Sequence, residues 1–291
     1  MLTYQSIAEI ITAANESGSP IWRVVLDDHV KTTETSEEDI ISRMTLSLEV
    51  MKRSAAEGMN PEIRSMSGLS GGDGFRMNEY AKGGNTIGGS FNAKATATAL
   101  AIMEYNAAMG KIVAAPTAGS CGIMPAGLLT MMQERGITDE QAVQALITAG
   151  AMGMVIANKA SISGAQGGCQ AECGTASAMT AAALVELMGG TPEMCGHAVS
   201  IALQNILGLV CDPVAGLVEV PCILRNGSGI SIAINAADMA LAGIESIIPV
   251  DEVITAMDEV GNAMPASLRE TALGGLATTP TGIAIKEKIF G

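Results

Sequence analysis

Three cysteines stand in segments marked by Gly or Pro. Cys169 lies in SISGAQGGCQAECG (Ser161–Gly174), and Cys211 and Cys222 bound the run CDPVAGLVEVPC. They are 42 and 11 positions apart. Thiols so placed could ligate a metal, or they could simply be buried, since free Cys is among the most buried residue types. The paired Cys-x2-Cys of a zinc ribbon is absent, and so is the close Cys run of a ferredoxin. Cys121 and Cys173 are further loop candidates, while Cys195 falls in a helical stretch and reads as core.

Two other segments carry chemistry of a different kind. Ser67–Gly89 holds eight glycines, and its first part, SGLSGGDG (Ser67–Gly74), suits either a nest of backbone N–H groups for an anion or an exposed loop. It matches neither the Walker pattern nor the dinucleotide fingerprint, because no Gly-Lys-Ser/Thr follows and no strand precedes. Ala115–Gly122 presents the hydroxyls of Thr117 and Ser120 at a helix start, where they would either attract a carboxylate or cap the helix. The two histidines offer little: His29 follows two aspartates and reads as surface, and His197 lies on an apolar helix. A His-based triad is poorly supplied. Lys94, Lys111 and Lys159 are candidate bases that no spacing singles out.

The elements that must position these residues are helical. Ser36 caps a run with Ile40, Ile41, Met44, Leu48 and Met51 at helical spacing, with Gly58 as its natural stop. Thr138 and Thr191-Pro192 repeat the start signal. Ala95–Met109, Ala126–Arg135, Thr175–Met188, Ile230–Ile244 and Asp251–Gly261 complete the pattern. Ile21–Leu26 is the one tempting strand, and it is short. The expected class is all-α, with the Gly-rich segments as loops between helices.

Composition agrees and excludes several functions. Of 291 residues 48% are hydrophobic but only 2% aromatic, with 34 Gly and 19 Met, so the core must be built of aliphatic and small side chains. A net charge of −14 with so few rings argues against nucleic acid and against an anionic membrane surface. The uncharged stretches near Gln141–Asn158 and Met194–Cys211 are interrupted by polar residues and read as buried helices. Six cysteines without a recognisable leader suggest a reducing, cytoplasmic setting.

PTAGSCGIMPA (Pro116–Ala126), SISGAQGGCQAE (Ser161–Glu172) and CDPVAGLVEVPC (Cys211–Cys222) resemble segments of the iron–sulfur-dependent bacterial L-serine dehydratases, and most closely the α chain of their two-chain form. SGLSGGDG, EYNAAMGKIVAAPTAG from Glu104, and RETALGGLA (Arg269–Ala277) extend the resemblance over residues 65–277.

The resemblance implies an all-α catalytic domain (61–291) behind an N-terminal helical arm (1–60). It implies a 4Fe–4S cluster on Cys169, Cys211 and Cys222 with one iron open to L-serine, and no pyridoxal phosphate. Ser70, Gly71, Gly72, Thr117, Gly119 and Ser120 would surround the substrate. The chain departs from single-chain relatives in two ways: no Cys follows Cys222, and the Ser-Ser-His-Thr motif of their N-terminal domain is absent. That motif belongs to a separate β chain in the two-chain form, which is therefore the expected partner. Cysteine β-elimination at the same site, and a non-enzymatic iron–sulfur sensor or electron carrier, are the competing readings.

Overall fold

The computed structural model describes residues 3–291. Three helices come first: α1 (Ile7–Ser17), α2 (Ile21–Thr33) and α3 (Glu37–Gly58). Then follow α4 (Asp73–Lys82), α5 (Gly89–Ala107), α6 (Ile123–Arg135), α7 (Asp139–Lys159) and the single turn α8 (Gly164–Gly167). A wide π-helical turn, Gln170–Gly174, runs straight into α9 (Thr175–Leu187). The chain closes with α10 (Pro192–Gln204), α11 (Cys222–Leu241), α12 (Val250–Ala263) and α13 (Pro280–Phe290).

Caps set the starts. Ser36 accepts from the Asp39 N–H at 3.1 Å, and Thr191 accepts from Met194. Thr138 and Gln141 form a reciprocal capping box. Helix α9 is the axis of the fold, with every residue from Thr175 to Val185 buried. It packs against α6, α7, α10 and α11. Its small residues let those helices come close: the thioether of Met179 fills the space beside Gly153 of α7, and Thr180 lies against Gly127 of α6. That is why a core so poor in rings can still be dense. It runs without a break from Ile7 in α1 to Met257 in α12. Helix α7, long and apolar enough to cross a membrane by composition, is two-thirds buried within this core.

Three local expectations are corrected. Ile21–Leu26 is the first part of α2, its Ile21, Val24 and Val25 forming one buried helical face. Gly58 ends α3 without a left-handed cap; it is Gly because a Cβ would overlap the Ala101 carbonyl of α5. The Gly-rich stretch Ser67–Gly89 contains a complete helix, α4, that its flanking glycines disguise.

One buried carboxylate supports a prediction. Glu186 on α9 accepts from the Trp22 N–H of α2 at 3.3 Å and from the Thr148 hydroxyl of α7, tying three helices together. Burial pushes its carboxyl above the ordinary 4.5. The fold thus favours the protonated acid, and the stability this lends is present below pH 4.5 and lost as pH rises through the folded value. Glu186→Gln keeps the bond from Trp22 and reverses the other, its amide N–H donating to the Thr148 hydroxyl, without the charge. It should raise Tm at neutral pH by about 2–4 °C, for roughly 1 kcal/mol in a chain of this size. The gain should close below pH 4.5, as thermal melts at pH 4 and pH 7 will show.

Candidate active site

Four segments converge at one end of α9 and α11. The first is the turn that carries Cys169 and Cys173. A π-helical turn widens the backbone just before α9, a distortion that accumulates at functional sites because it re-aims side chains. Gln170 locks this turn from inside: its Nε2 donates to Met257 O and its Oε1 accepts from Gly208 N, both at 2.8 Å.

Cys211 enters on an extended segment bridged to the RETALGGLA loop. Its N–H donates to Leu268 O at 2.8 Å, and its carbonyl accepts from Glu270 N at 2.7 Å. Glu270 is held at φ 59° and Ala272 at φ 53°, so this loop adopts left-handed backbone without glycine, a strain typical of sites. Asp212, next in sequence, is buried and pairs with Arg225 at 2.8 Å; its other oxygen accepts from Leu276 N.

Cys222 is not in a loop, as its neighbours had suggested, but on the first turn of α11, which starts eight residues before the expected Ile230. The early start places Asn226 one turn further on. Asn226 is fully buried and brackets two segments: its Nδ2 donates to Gly119 O (2.8 Å) and Cys222 O (2.9 Å), and its Oδ1 accepts from Gly122 N (3.0 Å). The Ala115–Gly122 segment is thereby fixed against the helix that carries Cys222.

All six cysteines are free and buried. Cys169 Sγ lies 3.4 Å from Cys173 Sγ in a thiol–thiol hydrogen bond. With Cys173 keeping the proton, that bond and the charge of Arg225 hold Cys169 below the ordinary thiol value. Burial pushes Cys211 and Cys222 the other way, Cys222 to about 12, with a further rise from the neighbouring Cys169. Cys211 and Cys222 thus both feel the charge of Cys169. Among the described residues no three His, Cys, Asp or Glu side chains are close enough to hold a single metal ion.

Thr117 and Ser120 share a hydrogen bond at 3.1 Å, and the Thr117 hydroxyl donates to Glu172 Oε1 at 2.7 Å. Glu172 therefore joins the Thr117 loop to the Cys169–Cys173 turn. A Cβ on Gly164 would stand 2.6 Å from Glu172 Oε2 and 3.1 Å from Cys211 Sγ, so this glycine leaves the space both atoms border. Gly119 faces the same carboxylate. Burial, opposed by the Thr117 bond and assisted by the nearby Glu270 charge, raises the Glu172 pKa.

The SGLSGGDG segment reaches the site indirectly. Ser67 and Ser70 donate to Glu219 Oε2 at 2.9 and 3.0 Å, tying this segment to the Cys211–Cys222 run. Gly71 and Gly72 pack on the backbone of Ile63 and Pro61. The backbone nest at the start of α4 is filled from within the chain, since Glu104 accepts from the N–H groups of Asp73 (2.7 Å) and Gly74 (3.1 Å). Thr117, Gly119 and Ser120 are thus brought to the thiols, Ser70 joins them through Glu219, and Gly71 and Gly72 serve the turn. His197 Nδ1 accepts from Ser246 N at 3.2 Å on α10. A cleft of about 450 Å³ between Lys159, Gln166, Asp258, Asn262 and Arg269 has none of the six cysteines in its wall.

The family model of the serine dehydratase alpha chain matches residues 16–277. The chain belongs to the serine dehydratase alpha chain family. It is 50% identical over 288 residues to a probable L-serine dehydratase alpha chain of Bacillus subtilis (strain 168), covering 99% of this chain and 96% of that one. The L-serine dehydratase alpha chain of Peptoniphilus asaccharolyticus is 49% identical over 278 residues, covering 96% and 95%. L-serine dehydratase 1 of Escherichia coli (strain K12) is 48% identical over 181 residues, which are 62% of this chain but 40% of that longer one.

Within this family member, four residues of the site stand out only in the structure: Asn226, Glu172, Arg225 and Gln170. Each is a polar side chain in an otherwise small or apolar run, and that contrast was the available signal.

Proposed function

We propose that this chain is the catalytic α chain of a two-chain L-serine dehydratase that converts L-serine to pyruvate and ammonia. Its near full-length similarity to proteins named L-serine dehydratase alpha chain carries the reading. The word alpha in those names supports a separate β chain as the partner, and the buried free thiols suit a reducing cytoplasm.

The donor set fits a 4Fe–4S cluster. Three soft, buried thiols, Cys169, Cys211 and Cys222, come from three converging segments, and Cys211 and Cys222 both feel the charge of Cys169. A cluster spreads its ligands over several irons, so thiols from separate segments suit it. Bound there, it would supply a Lewis-acidic iron to stabilise the departing β-hydroxyl. Around it the chain's own groups orient the amino acid. The Ser120 hydroxyl donates to Thr117, which in turn holds Glu172, and the Asn226 bracket keeps their loop still, so that little reorganisation is left for the reaction itself. Buried helices on every side exclude bulk water from the thiols.

Removal of the α-proton needs a base. Lys94 is paired with Glu134 at 2.6 Å and Lys159 with Asp251 at 3.1 Å. Both are committed, which leaves the exposed Lys111 or a residue of the β chain as the base. Anaerobic loading with iron and sulfide, with and without the β chain, followed by a pyruvate assay, tests the reading. Pyruvate formed by the pair, insensitive to borohydride, is expected. No pyruvate from any combination overturns the function, and full activity of this chain alone overturns the compulsory partner.

A further inference from the structure

Four buried or half-buried carboxylates surround the converging segments, and two have a partner on each oxygen. Asp212 has Arg225 and the Leu276 N–H. Glu104 has the N–H groups of Asp73 and Gly74. Glu219 has the Ser67 and Ser70 hydroxyls, both on Oε2. Glu172 has a single donor and lies beside Cys211. Its Oε1 takes the Thr117 hydroxyl, but among the described residues Oε2 accepts no hydrogen bond and the carboxylate forms no ion pair. Oε2 borders the space left by Gly164 beside Cys211, and the exposed Glu270 adds a second negative charge on that side.

We infer that Glu172 is the residue that recognises the α-ammonium group of the substrate, through Oε2 and beside Cys211. The inference rests on the amino-acid substrate of the proposed function. A desolvated carboxylate with no cation is costly unless its counter-charge arrives with a ligand. An amino acid carries that charge on the atom next to the carbon that loses its proton. Arg225 does not compete, since its guanidinium is bound to Asp212 and to Val210 O. The Thr117 hydroxyl fixes Oε1 and leaves Oε2 for the ligand, and a side chain at position 164 would press on Oε2 and on Cys211 Sγ. Glu172 is thus a specificity-determining residue. It selects 2-amino acids over the corresponding 2-hydroxy acids.

The test compares wild type with Glu172→Gln in the cluster-loaded two-chain enzyme. KM for L-serine is read by pyruvate formation, and the Kd of L-glycerate, whose hydroxyl replaces the ammonium, by calorimetry. Breaking a desolvated charge pair should raise the serine KM by about 30-fold or more, with a smaller change in kcat. Glycerate affinity should change by less than about threefold, and iron content and visible absorption should match wild type. Glu172→Asp, which keeps the charge, should recover part of the serine preference, and it carries the same comparison if the Gln variant does not hold iron. Equal weakening of serine and glycerate, or an unchanged serine KM, would overturn the inference. Failure of the wild-type enzyme to turn over serine would instead overturn the proposed function.

Discussion

Cys211→Ala should abolish serine turnover, by about a thousandfold or more, while the helical fold survives. The size follows from the chemistry: a Lewis acid at the departing hydroxyl supplies several kcal/mol of charge stabilisation, and each ~1.4 kcal/mol is tenfold in rate. Survival of the fold follows from geometry, because Cys211 is held by its backbone, through Leu268 O and Glu270 N, and not by its thiol. The variant should retain its circular dichroism and lose bound iron after anaerobic loading. Cys195→Ala is the matched control. That thiol is equally buried but lies on α10 against Ala182 O, so iron and activity should stay at wild-type levels. Iron at wild-type content in Cys211→Ala would remove this residue from the ligand set.

Asn226→Leu should have the second largest effect, and on two readouts at once. The substitution leaves the Gly119 carbonyl and the Gly122 N–H without their partner, while the Cys222 carbonyl keeps its bond within α11. A buried polar group left unpaired costs about 1–3 kcal/mol. Two of them should therefore lower stability by about 2–6 kcal/mol, visible as a fall in the denaturation midpoint. Turnover should fall further than stability alone explains, because the Thr117 loop is released from the helix that holds Cys222. Asn226→Asp distinguishes the two contributions. It keeps the acceptor for Gly122 N but faces both carbonyls with oxygen, so stability and turnover should both drop despite the conserved size.

Much of this was legible in the chain. The capped starts at Ser36, Thr138 and Thr191 were readable because capping is a local interaction between residues three apart. The all-helical class followed from apolar spacing. What escaped were features decided at a distance. Gly58 was read as a stop because glycine ends helices, yet its reason is the backbone of α5, more than forty positions away. The true start of α11 was missed because Asn226, Gly227, Ser228 and Gly229 look like a loop. Packing against Ile123 and the hydrogen bonds of Asn226 make them helix. SGLSGGDG could be read as an anion nest or as an exposed loop, and only the fold shows that Glu104 accepts from its last two N–H groups. At the site itself, motif resemblance singled out Cys169, Cys211 and Cys222. The carboxylates around them were invisible, because whether a Glu is paired, capped or left waiting depends entirely on its neighbours.

The origin of the three thiols in three separate segments has a thermodynamic consequence. A single group gripping Cys169, Cys211 and Cys222 ties the π-helical turn, the Arg269 bridge and the first turn of α11 into one closed circuit. In the unfolded chain the same circuit would have to close two loops, one of them long, at the expense of chain entropy. Metal loading would therefore act as a multivalent cross-link on the whole helical body and not as a local ornament. Loss of iron should then leave the helices formed and lower the unfolding midpoint of the whole body.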